Sequence, residues 1–112
     1  MAIGDFTPKK LLQKALDTTA INSQITVTTG KRTIITSISV ANISGESRIV
    51  SVFLYGTATT NKIANISLVA SGTSIMTGLD YVLIEGETAS FNINTGSLGD
   101  VNIAVMGIEE EI

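Results

Sequence analysis

The feature that most constrains the fold of this chain is the two-residue period of its apolar side chains. In residues 89–95 (ASFNINT), Ala89, Phe91 and Ile93 alternate with polar residues, and residues 101–105 (VNIAV) repeat the pattern. Successive side chains of a β-strand point to opposite faces, so this period predicts strands with one apolar face. The many Ile, Val and Thr residues agree, because β-branched side chains favour strands.

Two longer runs have the same composition. Residues 33–43 (TIITSISVANI) predict a strand whose apolar face holds Ile34, Ile38 and Val40. Residues 48–55 (RIVSVFLY) are apolar on both faces, which predicts a strand buried on both sides or covered by a neighbouring subunit. Further strands are predicted at residues 24–28, 62–70 and 81–84.

Glycine-containing turns separate these runs at regular spacing. The turn at residues 44–46 and the one at residues 96–100 join neighbouring strands and predict hairpin connections. The 112 residues suit one domain. Short strands with evenly spaced turns therefore predict an all-β fold, a single antiparallel β-sandwich or jelly-roll-like domain.

The N-terminal segment differs from the rest. In residues 6–17 (FTPKKLLQKALD), Thr7 is a candidate N-cap and Pro8 stands at the first helical position, which favours a short helix. An extended arm whose Leu12 and Leu16 dock on the sheet is an equal alternative. The predicted division of the chain is an N-terminal arm at residues 1–23 and a β-sandwich domain at residues 24–112.

Composition excludes several classes of function. The chain has no cysteine and no histidine, which removes disulfides, thiolate metal sites and imidazole chemistry. With a net charge of −3, the chain lacks the basic surface expected of a protein that binds duplex nucleic acid. No apolar run approaches the roughly 20 residues that span a bilayer. We therefore expect no cofactor, no metal, no nucleic-acid partner and no membrane partner.

Catalysis by carboxylates alone is the remaining enzymatic alternative. Asp80, Glu85 and Glu87 lie in or beside the turns that flank a predicted strand. A glycosidase-like pair needs two carboxylates facing each other across a cleft, one of them in an apolar pocket. Solvated turn charges are the simpler interpretation, and no phosphate-binding glycine motif is present. The sequence therefore predicts no enzymatic activity and no catalytic residue.

Three stretches together resemble a family. Residues 25–56 (ITVTTGKRTIITSISVANISGESRIVSVFLYG) resemble a recurrent pattern in small β-sandwich virion proteins of tailed bacteriophages. That pattern runs from an arm and a strand through a Gly-Lys turn and a long strand to a glycine turn and a Val/aromatic strand. Residues 78–94 and 101–110 resemble its later strands, so the resemblance covers most of the chain. The loop at residues 56–61 is shorter than the insertions of that family.

The resemblance implies a non-enzymatic structural protein of a bacteriophage particle, found in the virion and assembled in the host cytoplasm. The first interpretation is a capsid decoration or accessory subunit that binds the shell, neighbouring copies or both. The alternative is a tail, neck, baseplate or fibre subunit, including a receptor- or glycan-binding module. The expected partners are other virion proteins, capsid or tail subunits, and further copies in a homo-oligomer.

Two segments form the candidate interface. The first is the basic N-terminal arm, which would seek an acidic surface on a neighbour, although a solvated end is the simpler interpretation. The second is the strand at residues 48–55 with its additional apolar face. The candidate interface residues are Lys9, Lys10, Leu12, Lys14, Leu16, Ile49, Ser51, Phe53 and Tyr55.

Overall fold

The chain folds into two antiparallel β-sheets packed face to face, which confirms the predicted β-sandwich. The computed structural model describes residues 6–18, 25–56 and 58–111. One 3-10 turn, Thr59–Asn61, is the only helical element in those ranges. The strands are β1 (Phe6–Ala15), β2 (Ile25–Thr26), β3 (Lys31–Asn42), β4 (Arg48–Leu54), β5 (Lys62–Leu68), β6 (Thr73–Met76), β7 (Tyr81–Leu83), β8 (Thr88–Ile93) and β9 (Val101–Glu111).

The strands pair like one long hairpin folded over itself. The innermost pair is β4 with β5, followed outward by β3 with β6 and β7, β2 with β8, and β1 with β9. Sheet I has the order β1-β9-β3-β6, with β7 also on β3, and sheet II has the order β2-β8-β4-β5. If β6 and β7 count as one interrupted strand, these eight strands form a jelly roll.

The core lies between the two sheets and follows the predicted alternation. Ala89, Phe91 and Ile93 of β8 are fully buried, and so are Val101 and Val105 of β9. Each large apolar side chain buried in this way stabilises the fold by about 1.5–3 kcal/mol. The period-2 prediction is therefore confirmed for both strands.

Strand β3 changes its inward face part-way along. Ile35 is buried before the change, and Ile38 and Val40 are buried after it. The pairing with β9 shifts between Ile35 and Ser37, and the one extra residue of this β-bulge moves the alternation by one position. The prediction that Ile34 shares the core face with Ile38 and Val40 is therefore wrong.

Both neighbours of β9 bulge at the level of Met106. The extra residue is Leu11 in β1 and Thr36 in β3. Gly107 stands next to this level and is buried. A Cβ atom at Gly107 would collide with the carbonyl oxygen of Ile34. Strands β1 and β3 can approach β9 this closely because that position has no side chain.

The N-terminal segment forms strand β1, so the extended alternative is the one observed and the short helix is wrong. Hydrogen bonding to β9 overrides the local helix signals, which are weak without tertiary support. Pro8 is tolerated because β1 lies at a sheet edge. Leu16 is fully buried and Leu12 packs on the core, as expected for an extended segment. The predicted boundary between residues 23 and 24 lies outside the described residues.

Two predicted hairpins connect the sheets instead. Strands β3 and β4 lie in different sheets, as do β8 and β9. The first connection is directed by the buried amide of Asn42, which donates to the carbonyls of Glu46 at 2.7 Å and Val69 at 3.0 Å. Its Oδ1 accepts from the backbone N–H of Ser44 at 3.0 Å. These hydrogen bonds fix the loop through which the chain passes from β3 in sheet I to β4 in sheet II.

Candidate assembly surfaces

The basic end of β1 meets the acidic end of β9. Lys9 Nζ lies 3.4 Å from Glu109 Oε2. Lys31 Nζ lies 3.0 Å from Glu109 Oε1 and 3.7 Å from Glu111 Oε1. Arg32 pairs with Glu110. The acidic partner of Lys9 is therefore the C-terminal strand of its own chain.

The contacts in this ion cluster favour the charged forms of Glu109 and Lys31. The hydrogen bond from Lys31, and then that from Lys9, hold the pKa of Glu109 below its ordinary value of 4.5 despite partial desolvation. The contact with Glu109 likewise raises the pKa of Lys31 above 10.5. A carboxyl group with a lowered pKa is a poor general acid near neutral pH. The cluster is suited to clamping β1, β3 and β9 together.

A second ion pair closes the opposite end of the sandwich. Arg48 is 8% exposed, and its Nη2 lies 3.1 Å from Asp100 Oδ2. The backbone N–H of Ser97 and, next, the Arg48 guanidinium hold the pKa of Asp100 below its ordinary value of 3.8. Because buried charge is costly without a partner, the contacts with Asp100, with Glu46 and with the carbonyl of Ser47 together offset the burial of Arg48.

Strand β4 has one core face and one outer face. Ser51 and Phe53 lie on the outer face, yet each is only 6% exposed. The Lys62 ammonium stands 5.7 Å from the Phe53 ring centroid, and Ser51 donates to Asn65 at 3.0 Å. The predicted second apolar face of β4 is therefore covered over much of its length within this chain.

The tyrosine that follows β4 has an unusual backbone. Tyr55 has a φ of 68°, in the left-handed region that side chains disfavour. Its hydroxyl donates to the carbonyl of Val82 at 3.0 Å. Despite this bond the residue is 52% exposed.

The nine candidate interface residues fall into three groups. Leu16, Ser51 and Phe53 are buried and leave almost no surface for a partner. Leu12 and Lys14 are half-buried. The exposed members are Lys9, Lys10, Ile49 and Tyr55.

Two of the three turn carboxylates accept hydrogen bonds from backbone N–H groups. Glu85 accepts the backbone N–H of Gly30 at 2.8 Å, and Glu87 accepts that of Ile84 at 2.8 Å. Both carboxylates therefore stabilise turns. The third, Asp80, is exposed. Within residues 6–18, 25–56 and 58–111, no three acidic side chains converge as metal ligands. No helix in those ranges is long and apolar enough to cross a membrane.

Sequence reasoning missed an apolar surface on the outer face of sheet I. We call it the outer patch, and it consists of Ile34, Ile75, Val82, Ala104 and Met106. Cross-strand pairing places these residues on one face. Ile75 is 66% exposed, Met106 43% and Val82 39%. The patch was missed because the bulge at Thr36 interrupts the alternation of β3. It places Ile34 on the outer face and Ile35 on the core face, the reverse of what uninterrupted alternation predicts.

A groove of about 310 Å³ crosses this face beside the outer patch. Its floor includes the small residues Ser39, Ala41 and Ala104, with Gln13 and Ile75 among the other lining residues. Small side chains on the two adjacent strands β3 and β9 let a partner approach the sheet closely. Within the described residues, the outer face of sheet I therefore presents exposed apolar side chains, such as Ile75 and Met106, beside polar ones such as Gln13 and Ser39.

Comparison with known proteins gives likeness of fold alone. No family model matches the chain, and no curated protein matches its sequence. A chain from the structure described as "Bacillus endospore appendages form a novel family of disulfide-linked pili" is similar, with a TM-score of 0.57 and 11% identity. The match covers 99% of this chain and 92% of that one. The likeness shows the same sandwich architecture.

Two further solved structures are more distant. A chain of the virus-like particle of the extra small virus of the prawn Macrobrachium rosenbergii has a TM-score of 0.46 and 9% identity, covering 100% of this chain and 84% of that one. A family two carbohydrate esterase from Clostridium thermocellum has a TM-score of 0.39 and 13% identity. That match covers 96% of this chain and 33% of the esterase chain.

Proposed function

We propose that this chain is a non-enzymatic structural subunit that binds other subunits through the outer patch. The observation that carries the proposal is the exposure of Ile75, Met106 and Val82 on one sheet face. Contiguous exposed apolar surface on a folded protein marks an interaction site, because water solvates it poorly. The turn-holding roles of Glu85 and Glu87 further support a role without catalysis.

The finer proposal is a subunit of a bacteriophage particle, in the first place a capsid decoration or accessory subunit in the virion. The resemblance of residues 25–56 and 101–110 to virion proteins supports it. A chain without cysteine also suits assembly in a reducing cytoplasm. The partner of the outer patch is then a shell protein.

A second candidate is a subunit of a fibrous appendage. The similarity in fold to a chain of the Bacillus endospore pili favours it. Those pili are described as disulfide-linked, whereas the 112 residues here contain no cysteine. A fibre of this chain would depend on non-covalent contacts between subunits.

The outer patch is tested by a charge placed at its most exposed residue. In Ile75→Lys, an ammonium group would have to lose its water in the interface, so binding to purified particles in a co-sedimentation assay should fall at least tenfold. Leu98→Lys is the matched control, because Leu98 is also 66% exposed but lies in the turn before β9. Equal binding by both variants would contradict the role of the outer patch.

The position of the subunit is tested by gold-labelled antibody on particles and appendages from the source organism. Labelled shells would support the decoration subunit, and labelled fibres would support the second candidate. Label confined to the fraction without assemblies would contradict both.

A further inference from the structure

The open edges of the two sheets differ in how well they are protected against pairing with another strand. Unpaired backbone N–H and C=O groups at an edge can bind a further strand. Within the described residues, the edges of sheet I are β1 at one side and β6 and β7 at the other. The edges of sheet II are β2 and β5.

Three of these edges are protected. Strand β1 contains Pro8, the extra residue Leu11 and three lysines, all of which oppose edge pairing. Strand β2 has two residues, and β6 and β7 have four and three. Short strands offer few backbone groups to a partner.

Strand β5 lacks this protection over most of its length. It has seven residues, no proline and a single charge, on Lys62 at its first position. One bulge, at Ile63, lies at the same end. From Ala64 to Leu68 the strand pairs regularly with β4 and is open on its other side within the described residues.

We propose that β5 is the site at which a second copy of this chain adds, edge to edge, through antiparallel pairing of the two β5 strands. The pair is related by a two-fold axis at Asn65, the middle residue of the strand. The proposal deepens the structural role above by naming the self-contact. It joins two copies of sheet II into one sheet of eight strands.

The charges of the strand favour this occupant. In antiparallel pairing centred on Asn65, the two Lys62 residues lie at opposite ends, ~20 Å apart along the strand. Two paired β1 strands would instead bring three lysines from each copy into the junction, and this accumulated like charge disfavours edge pairing. Self-pairing is therefore compatible with the charges of β5 and opposed by those of β1.

The side chains also match across the proposed axis. Asn65 and Ser67 are exposed on the outer face, and Ile66 is 8% exposed on the core face. A two-fold axis perpendicular to the sheet keeps outer faces together and core faces together. Ile66 of one copy then stands opposite Ala64 of the other, which extends the apolar layer across the junction.

Cysteine substitution tests the register, because the chain has no cysteine of its own. Two opposed residues of an antiparallel pair lie within the Cα–Cα range of a disulfide, 4.4–6.8 Å. Mild oxidation of Asn65→Cys should therefore give a covalent dimer on a non-reducing gel. Ser67→Cys is the control on the same strand and face, since its two copies would lie ~13 Å apart along the strand.

Sedimentation velocity over a range of concentrations gives an independent measurement. Wild-type chain should show a monomer–dimer equilibrium, and Asn65→Lys should raise the dissociation constant at least tenfold. An equimolar mixture of Asn65→Lys and Asn65→Asp should restore association. Leu98→Lys, at an exposed position in the turn before β9, is the control that leaves the equilibrium unchanged.

The failures of the two proposals are distinguishable. A monomer at every concentration, or a dimer unaffected by Asn65→Lys, overturns pairing through β5. Neither result bears on the proposed function of the outer patch, which is tested separately by the binding of Ile75→Lys to particles. Equal cross-linking of Asn65→Cys and Ser67→Cys also overturns the proposed register.

Discussion

Gly107 sets the distance between the central strands of sheet I. Gly107 follows Met106, the residue beside which both β1 and β3 have a β-bulge. Because Gly107 has no side chain, there is room for the carbonyl oxygen of Ile34 and the Cδ1 atom of Leu11. This constraint is steric, because Gly107 is absent from the positions with positive φ. The residue therefore contributes to packing between strands and has no turn role.

Gly107→Ala should destabilise the fold by about 3 kcal/mol, because a methyl group forces β9 away from β3. Urea denaturation monitored by circular dichroism gives the change in the free energy of unfolding. Gly45→Ala is the control, since a Cβ there meets no atom within 4 Å and its effect should stay within about 0.5 kcal/mol. Equal midpoints for the two variants would contradict this account.

At the scale of elements, the connection after β3 depends on a single buried amide. Asn42 is 2% exposed and bonds Ser44, Glu46 and Val69. These bonds connect two loops at one end of the sandwich. A buried amide with several partners is costly to remove, because the groups that it bonds lose their partner.

Asn42→Ala should therefore cost about 2–3 kcal/mol of unfolding free energy. Asn102→Ala, at an exposed position of the adjacent strand β9, should change it by less than about 0.5 kcal/mol. Denaturation of both variants under the same conditions measures the difference. A small loss for Asn42→Ala would show that the loops do not depend on the amide.

Much of the element order follows from sequence, because alternation and turn chemistry are local. Strands β3, β4, β5 and β8 lie within the predicted ranges or extend them by one or two residues, whereas β9 continues six residues beyond the predicted range of 101–105. The short strand β6 was missed, since four residues give too little alternation to detect. The turns were found, but whether a turn joins strands of one sheet or of two depends on contacts far along the chain, such as that of Asn42 with Val69.

The candidate site was less predictable than the fold. The basic residues of β1 were found from composition, but their pairing with Glu109 depends on the β1–β9 contact. The outer patch depends on the bulge at Thr36, which leaves no local signal in a run of Ile, Thr and Ser. The edge at β5 becomes apparent only when all four sheet edges are known.

At the scale of the whole molecule, ion pairs close both ends of the sandwich and make its stability depend on pH. The pKa of Glu109 is lowered in the folded state, so its contribution is complete above about pH 4.5 and is lost as the pH falls through the folded value. Asp100 contributes in the same direction below its ordinary value of 3.8. Unfolding free energy should therefore fall from about pH 4.5 downward.

Glu109→Gln should flatten this acid decline, because the variant has no carboxyl group to protonate at that position. Urea denaturation at steps between pH 3 and pH 7 measures the two profiles. Asp80→Asn removes an exposed carboxyl group and should leave the wild-type slope. Parallel profiles for wild type and Glu109→Gln would show that the Lys31 and Lys9 contacts do not couple folding to protonation.

The nested strand pairs also impose an order in time on a chain made from its N-terminus. Of the nine described strands, β1 is synthesised before the other eight and its partner β9 after them, and the two pair from Phe6 with Glu110 onward. The hairpin of β4 and β5 can close while β9 is still missing. During that wait β1 is an unpaired strand, and its proline and lysines disfavour pairing with other nascent chains. The residues that protect the finished edge thus also protect the chain during translation.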